Sequence, residues 1–166
     1  DNQGFGDAII SGINKLKTKY FALMFADGST DPGELSSLYD HLKNMEADFV
    51  FGSRYLKDGS SEDDTAVTFI GNKIFTLIGK LFFKLKITDI LYTYIIGKTD
   101  HIRDLNLKSK DFAICVELPI KASRKGYKIV DFPCNERQRF SGKKNVNAFL
   151  DGSKILIKMI KMFINK

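Results

Sequence analysis

The stretch at residues 20–32 reads YFALMFADGSTDP. Its first six residues are apolar without polar alternation, which is typical of a strand buried on both faces of a parallel sheet. The polar residues that follow, beginning with Asp27 and Gly28, form a dense turn signal. Asp31 is then a candidate helix N-cap, with Pro32 at the first helical position. This stretch therefore predicts a buried strand, a loop, and a helix that runs to about residue 45.

Strands and helices continue to alternate on both sides of this stretch. We expect strands at 48–52 and 127–132, and helices at 7–17, 65–85, 112–123 and 148–166. Such alternation predicts an α/β domain with a mainly parallel sheet flanked by helices. We expect the strand at 20–25 to be central in the sheet and parallel to the strand at 49–51.

The strand count suggests that the fold is incomplete at its N-terminus. Three strands are too few for a parallel sheet that is covered by helices on both faces. The chain also starts at Asp1 and reaches Gly4 and Gly6 with no strand before them, although such a glycine pair usually follows one. We therefore expect an upstream segment that carries further strands.

Composition excludes several classes of protein. The 43% hydrophobic and 12% aromatic content suits a packed core, and excludes a disordered tail or a collagen-like repeat. Cys115 and Cys134 are too few for a disulfide framework or a four-ligand zinc site, so we expect buried thiols in a cytoplasmic protein. No apolar run reaches the roughly 18 residues of a membrane span. The net charge of +6 comes without a nucleic-acid-binding motif, so we expect no nucleic-acid partner.

A set of short motifs resembles glycosyltransferase family 2 in order and spacing. The motifs are Gly4-x-Gly6-x-Ala8, Asp27-Gly28-Ser29-Thr30-Asp31-Pro32, Gly52-Ser53-Arg54-Tyr55, Thr88-Asp89 and Arg139-x-x-Gly142. Within the family, the chain is most similar to the dolichol-phosphate mannosyltransferase group of polyprenyl-phosphate glycosyltransferases. The resemblance implies a GT-A fold and inverting transfer of a sugar from a nucleotide-sugar donor to a polyprenyl phosphate. It also implies a partial catalytic domain at 1–147, followed by a C-terminal amphipathic helix at 148–166.

The metal motif of the family is Asp-x-Asp, and here it reads Phe25-Ala26-Asp27. Asp27 matches the second acid and is the predicted ligand of a divalent cation, Mg²⁺ or Mn²⁺, that would hold the donor diphosphate. Phe25 replaces the first acid, and a phenyl ring cannot ligate a hard cation. Three alternatives stay open: Asp27 and the diphosphate hold the metal alone, metal use is weakened, or activity is lost.

Two residues are predicted to act near the phosphates. Arg54 follows a predicted strand, and its guanidinium is predicted to pair with phosphate oxygens of the donor. The alternative for Arg54 is a surface arginine in a polar loop. By resemblance, Asp89 is a catalytic residue that positions or helps to deprotonate the acceptor. The alternative for Asp89 is a helix cap or turn residue.

The basic segment 136–147 supplies three further candidates. Arg139 matches the family motif and is predicted to be catalytic, and Arg137 and Lys143 are predicted to bind phosphates. The alternative is a solvated basic loop. Glu117 lies among apolar residues, where a carboxylate needs a partner or a task. We expect a structural ion pair, with Arg54 or Arg124 as its partner, and the alternative is a catalytic role.

Two helices, 65–85 and 148–166, combine an apolar stripe with lysines. Such helices can lie in a membrane interface with lysines at the headgroups, which predicts a cytoplasmic protein peripheral to the membrane. The alternative is that both helices pack on the domain core. A second reading of the whole chain also stays open because of Phe25: a non-catalytic membrane-surface or partner-binding domain derived from the same fold.

Overall fold

The computed structural model describes residues 3–140 and 147–165. Within these residues, a four-stranded sheet forms the centre of the fold, and two very short strands pair separately. The strands in chain order are β1 (Tyr20–Leu23), β2 (Phe49–Ser53), β3 (Ser60–Ser61), β4 (Ile95–Lys98), β5 (Ile129–Pro133) and β6 (Asn135–Glu136).

Helices surround the sheet. They are α1 (Phe5–Lys15), α2 (Leu35–Asn44), α3 (Ala66–Phe83), α4 (Thr99–Asp104), α5 (Ile114–Arg124) and α6 (Ala148–Ile164). The sequence predicted all of these except α4, with small shifts at their ends. A 3₁₀ turn, Pro32–Glu34, precedes α2, and the Asp31 carboxylate caps this turn by accepting the N–H of Gly33 at 2.9 Å. The predicted N-cap is therefore confirmed.

The strand order is β1-β4-β2-β5, with β4 antiparallel to both of its neighbours and β2 parallel to β5. The α/β class is confirmed, but the sheet is mixed rather than mainly parallel. The prediction of a central strand at 20–25 is wrong in position. Among the described strands β1 lies at the edge, paired only with β4, and Ala22 on it is exposed. β1 and β2 do run in the same direction, because both are antiparallel to the strand between them.

Strand β4 was missed from the sequence, although it lies between β1 and β2. Gly97 is opposite Phe21 on one side and Phe49 on the other. A Cβ atom at position 97 would come within 2.6 Å of the Phe49 ring and 2.9 Å of the Phe21 ring. Glycine therefore lets the two rings cover β4 from its neighbouring strands, and its low strand propensity is outweighed by this packing.

The side chains of β2 alternate between two hydrophobic clusters. Phe49 and Phe51 point into the larger cluster, which includes residues of α1, α5 and α6, whereas Val50 points into a smaller one with Leu38 and Leu42 of α2. The sheet is therefore covered by helices on both faces. Helix α6 packs on α3 and α5. This packing places α6 at the edge of the sheet where the loops after β1 and β2 lie.

Candidate functional site

A cleft of about 280 Å³ opens where β1 and β2 end. Asp27 and Ser29 line it from the loop after β1, and Arg54 lines it directly after β2. The carboxyl ends of strands are where ligands bind in open α/β sheets, so the cleft lies where the sequence placed the site. The other lining residues are Phe5, Phe25, Asp63, Asp64, Thr68, Asn72, Leu91, Thr93, Phe112, Cys115, Glu136, Arg139 and Ile155.

The loop that carries Asp27 is held in shape by its own polar groups. Ser29 donates two hydrogen bonds to Oδ1 of Asp27, from its backbone N–H at 3.0 Å and from Oγ at 2.7 Å. Partial burial raises the pKa of Asp27, but these bonds and the charge of Arg139 outweigh it, so the net shift is downward. Asp27 is therefore ionised at neutral pH.

Residues 137–140 lie across this loop and are joined to it by backbone hydrogen bonds; we call this segment the clasp. The N–H of Arg137 donates to the carbonyl of Ser29, and the N–H of Phe140 donates to the carbonyl of Asp27, both at 2.9 Å. The Phe140 ring lies so close to Gly28 that a Cβ atom there would be 2.3 Å from it, and Gly28 also has a φ of 86°. Glycine is therefore required at this turn.

The clasp directs two arginines toward carboxylates of neighbouring loops. Nη2 of Arg139 lies 2.8 Å from Oδ2 of Asp63, and Nη1 lies 3.7 Å from Oδ2 of Asp27. Arg139 therefore bridges two carboxylates in the cleft. Arg137 is more exposed and pairs with Asp31 at 2.5 Å, at the outer rim of the same loop.

Arg54 and Asp89 form the most buried ion pair near the cleft. Asp89 is completely buried and binds Nε and Nη2 of Arg54 at 2.7 and 3.0 Å, and the Asn72 amide also donates to it. Nη1 of Arg54 lies 3.0 Å from the Glu136 carboxylate. Asp89 therefore holds the guanidinium of Arg54 from beneath and does not itself line the cleft.

The structure brings three of the predicted site residues to the cleft: Asp27, Arg54 and Arg139. Arg137 lies at the rim, Asp89 lies beneath Arg54, and Lys143 is outside the described residues. The roles predicted for these residues toward donor and acceptor stay predictions. The sequence did not indicate the acids that face the arginines, namely Asp63, Asp64 and Glu136. The acidic run at 62–64, in a loop after a strand, was the signal that could have indicated two of them.

Glu117 lies in a structural ion pair, as predicted, but its partners are lysines. Nζ of Lys121 lies 2.7 Å away and Nζ of Lys158 lies 3.3 Å away, and the N–H of Ser109 donates at 2.7 Å. Burial raises the pKa of Glu117, but these partners lower it to about 2. Because Lys158 is on α6, the pair ties α6 to α5.

Among the described residues, the side chains around Asp27 do not by themselves make up a site for a divalent cation. Mg²⁺ and Mn²⁺ need several oxygen ligands, and no group of three or more His, Cys, Asp or Glu side chains that could hold a metal occurs among residues 3–140 and 147–165. The Phe25 ring packs against Phe5 and Tyr92, with centroids 6.2 and 6.1 Å apart. The second oxygen of Asp27 faces the guanidinium of Arg139.

Helices α3 and α6 pack together and share an apolar outer surface, which we call the α3–α6 face. The ring of Phe163 meets Phe82 and Phe83 edge to face, at 5.4 and 6.3 Å. The exposed apolar residues of the face are Val67, Ile70, Ile74, Leu77, Leu81 and Phe82 on α3, and Phe149, Leu150, Leu156, Ile157, Ile160, Phe163 and Ile164 on α6. Exposed lysines on the two helices are Lys73, Lys80, Lys154 and Lys161.

Helix α3 is long and apolar enough, by length and composition, to cross a membrane, and it is alone in this among the described helices. The sequence has no uninterrupted apolar run of that length, because Asn72, Lys73 and Lys80 interrupt the apolar residues of this helix. The inner side of α3 is nevertheless packed on the domain through polar residues. Asn72 donates to Asp89, and Oγ1 of Thr76 accepts the N–H of Ile90 at 3.2 Å.

Comparisons with known proteins agree with this architecture. The chain is 27% identical over 154 residues to an uncharacterized glycosyltransferase of Mycobacterium tuberculosis. The match covers 93% of this chain and 69% of that protein. It is also 27% identical over 159 residues to an undecaprenyl-phosphate mannosyltransferase of Micrococcus luteus, covering 92% of this chain and 65% of the relative.

Glucosyl-3-phosphoglycerate synthase of Mycobacterium tuberculosis, solved with phosphoglyceric acid, superposes with a TM-score of 0.63 at 11% identity. The match covers 95% of this chain and 54% of that structure, and it shows a shared GT-A-like fold. Residues 1–105, more than half of the chain, match the family described as Glycosyl transferase family 2. The chain therefore belongs to glycosyltransferase family 2, whose enzymes transfer a sugar from a nucleotide-sugar donor.

Proposed function

We propose that this domain transfers a sugar from a nucleotide-sugar to a polyprenyl phosphate at the cytoplasmic surface of a membrane. The observation that carries the proposal is that α3 and α6 contribute both to the cleft and to the α3–α6 face. Thr68 and Asn72 of α3 and Ile155 of α6 line the cleft, while the opposite sides of the same helices expose apolar residues. An acceptor embedded in a bilayer under this face would have its phosphate beside the cleft.

The α3–α6 face suits an anionic bilayer as its partner. Exposed apolar patches of this extent mark interaction sites, and lysines at the edge of such a patch match anionic lipid headgroups. The lysines are Lys73 and Lys80 on α3 and Lys154 and Lys161 on α6. Because the inner side of α3 is packed on the domain, we propose that the two helices lie in the membrane interface rather than cross it. The mannosyltransferase of Micrococcus luteus supports a lipid phosphate as the acceptor.

The proposed chemistry is a single displacement at the anomeric carbon of the donor sugar. An oxygen of the acceptor phosphate forms a bond to this carbon as the bond to the donor diphosphate breaks. The electron pair leaves with the nucleoside diphosphate, and the anomeric configuration inverts. A phosphate acceptor is already anionic at neutral pH, so the step needs no strong base. Arg139, and Arg137 at the rim, are proposed to stabilise the phosphate charges.

A second candidate is favoured by one observation, the aromatic side chain at position 25. Phe25 fills the place of a family acid and packs with Phe5 and Tyr92, which suits a domain that kept the fold and lost catalysis. Such a domain would still bind membranes or a partner through the α3–α6 face. The two candidates differ in turnover and not in membrane binding.

A transfer assay with a panel of acceptors tests the proposal. The intact protein is incubated with radiolabelled nucleotide-sugars and, in parallel, undecaprenyl phosphate, unphosphorylated undecaprenol and 3-phosphoglycerate. Label on undecaprenyl phosphate alone is the expected result. Label on 3-phosphoglycerate would contradict the lipid acceptor while keeping the transferase. No transfer to any acceptor, together with retained membrane binding, would favour the non-catalytic domain.

A further inference from the structure

The cleft contains a built-in positive charge at the place where a metal-dependent enzyme of this family would need a cation. Arg139 lies between Asp27 and Asp63, at 3.7 and 2.8 Å from one oxygen of each. The other oxygen of Asp27 accepts both hydrogen bonds of Ser29. A divalent cation could approach Asp27 only by displacing the guanidinium or by lying next to it.

We propose that the guanidinium of Arg139 substitutes for the divalent cation, so that this domain handles its donor without metal. The statement about the donor rests on the proposed function, whereas the statement that Asp27 binds no metal stands on the geometry alone. This goes beyond the three alternatives left open by Phe25: metal is dispensable because the side chain of Arg139 has taken its position.

Two features hold Arg139 in this position. Its loop is attached to the Asp27 loop by backbone hydrogen bonds from Arg137 and Phe140, so the arginine does not depend on a flexible connection. The carboxylate of Asp63 fixes one end of the guanidinium, and the charges of Asp63 and Asp27 both stabilise its protonated form. An arginine stays protonated at any physiological pH, so the positive charge is permanent.

The other acids that line the cleft have partners of their own. Asp64 accepts hydrogen bonds from Tyr55 and Thr68, and Glu136 accepts from Arg54 and Ser61. They therefore belong to the network around Arg54 rather than to the Asp27 loop. Asp27 and Asp63 are the two carboxylates that Arg139 contacts, and its charge neutralises both in part.

Binding of Mn²⁺ alone, measured by electron paramagnetic resonance, tests the geometric statement without any donor. The wild-type protein should show no Mn²⁺ site at Asp27 with a dissociation constant below about 1 mM. Arg139→Ala should remove the guanidinium charge from beside Asp27 and strengthen Mn²⁺ binding by about tenfold or more. Asp27→Asn in the Arg139→Ala background should remove the gain.

The matched control is Arg137→Ala, which removes the same charge from the same loop but from a partner, Asp31, at the rim. It should leave Mn²⁺ binding as in the wild type. A wild-type Mn²⁺ site that Asp27→Asn abolishes would overturn the inference. So would Mn²⁺ binding that Arg139→Ala leaves unchanged while the variant keeps the circular dichroism spectrum of the folded protein.

A second arm uses calorimetry with a panel of nucleotide-sugars, in EDTA and in Mn²⁺. The expected result is the same affinity in both buffers. Binding that occurs only in Mn²⁺ would overturn the inference and leave the proposed function intact. Absence of binding in both buffers would contradict the proposed function and the donor half of the inference, and the Mn²⁺ titration would then still decide whether Arg139 occupies the cation position.

Discussion

The buried carboxylate of Asp89 receives two hydrogen bonds from the guanidinium of Arg54, at 2.7 Å from Nε and 3.0 Å from Nη2. Removing one partner of such a pair leaves an uncompensated charge in the protein interior. We expect Asp89→Ala to lower the free energy of unfolding by about 3–5 kcal/mol. Urea denaturation measures this, with Asp40→Ala at an exposed position of α2 as the control, expected within about 0.5 kcal/mol of wild type. Equal stabilities of the two variants would show that the pair is unimportant for folding.

Glu117 should make the protein sensitive to strong acid. Its pKa is lowered to about 2 in the folded protein, below the ordinary value of 4.5. The stabilisation is therefore complete above pH 4.5 and is lost as the pH falls toward 2, by up to about 3 kcal/mol. Denaturation of wild type and Glu117→Gln over this range measures the difference. The stability of the two proteins should converge at low pH, and a constant gap would contradict the assignment.

Asp131 should change the stability of the fold with pH in the direction opposite to Glu117, and at higher pH. Burial raises its pKa to about 6, despite hydrogen bonds from the N–H and hydroxyl of Thr88, both at 2.6 Å. A raised folded pKa gives stability that is present below about pH 4 and is lost as the pH rises through 6. Asp131→Asn should therefore flatten the decline in stability between pH 5 and 7, a range in which Glu117 stays ionised. A decline as steep in the variant as in wild type would assign it to other groups.

Membrane binding should depend on the centre of the α3–α6 face. Leu77→Glu and Ile160→Glu each place a carboxylate among exposed apolar residues, so flotation with vesicles containing anionic lipid should fall. Ser37→Glu, at an exposed position on α2, adds the same charge elsewhere and should float like wild type. Unchanged flotation of all three variants would mean that the membrane is not the partner of this face.

The lysines of this face should contribute by charge. Lys154→Glu combined with Lys161→Glu should weaken flotation, and high salt should release the wild-type protein. Lys158 is excluded from the test because it pairs with Glu117 in the interior. If neither charge reversal nor salt changes flotation, the lysines do not contribute and the binding of this face to the membrane is apolar alone.

The sequence predicted the helices well because their apolar stripes and caps are local signals, as at Asp31 before α2. It missed β4 because the packing of Phe21 and Phe49 over Gly97 joins residues far apart in the chain. For the same reason it placed β1 at the centre, since an unbroken apolar run does not show which strands become its neighbours. In the site it indicated Asp27 and Arg54 from their positions after strands and from the family resemblance, and Arg139 from the family resemblance alone. It could not predict that Asp63 and Asp89 would be their partners, because both pairings depend on how loops meet in the fold.

The most direct test of the account is the mass of the lipid after incubation of the intact protein with nucleotide-sugar and vesicles that contain undecaprenyl phosphate. We predict a new lipid that is heavier by one hexosyl residue, formed by wild type and strongly reduced in Arg139→Ala. Consumption of the nucleotide-sugar with no hexosyl-lipid, or a hexosyl-lipid formed equally by both proteins, would contradict transfer to a lipid phosphate at this cleft.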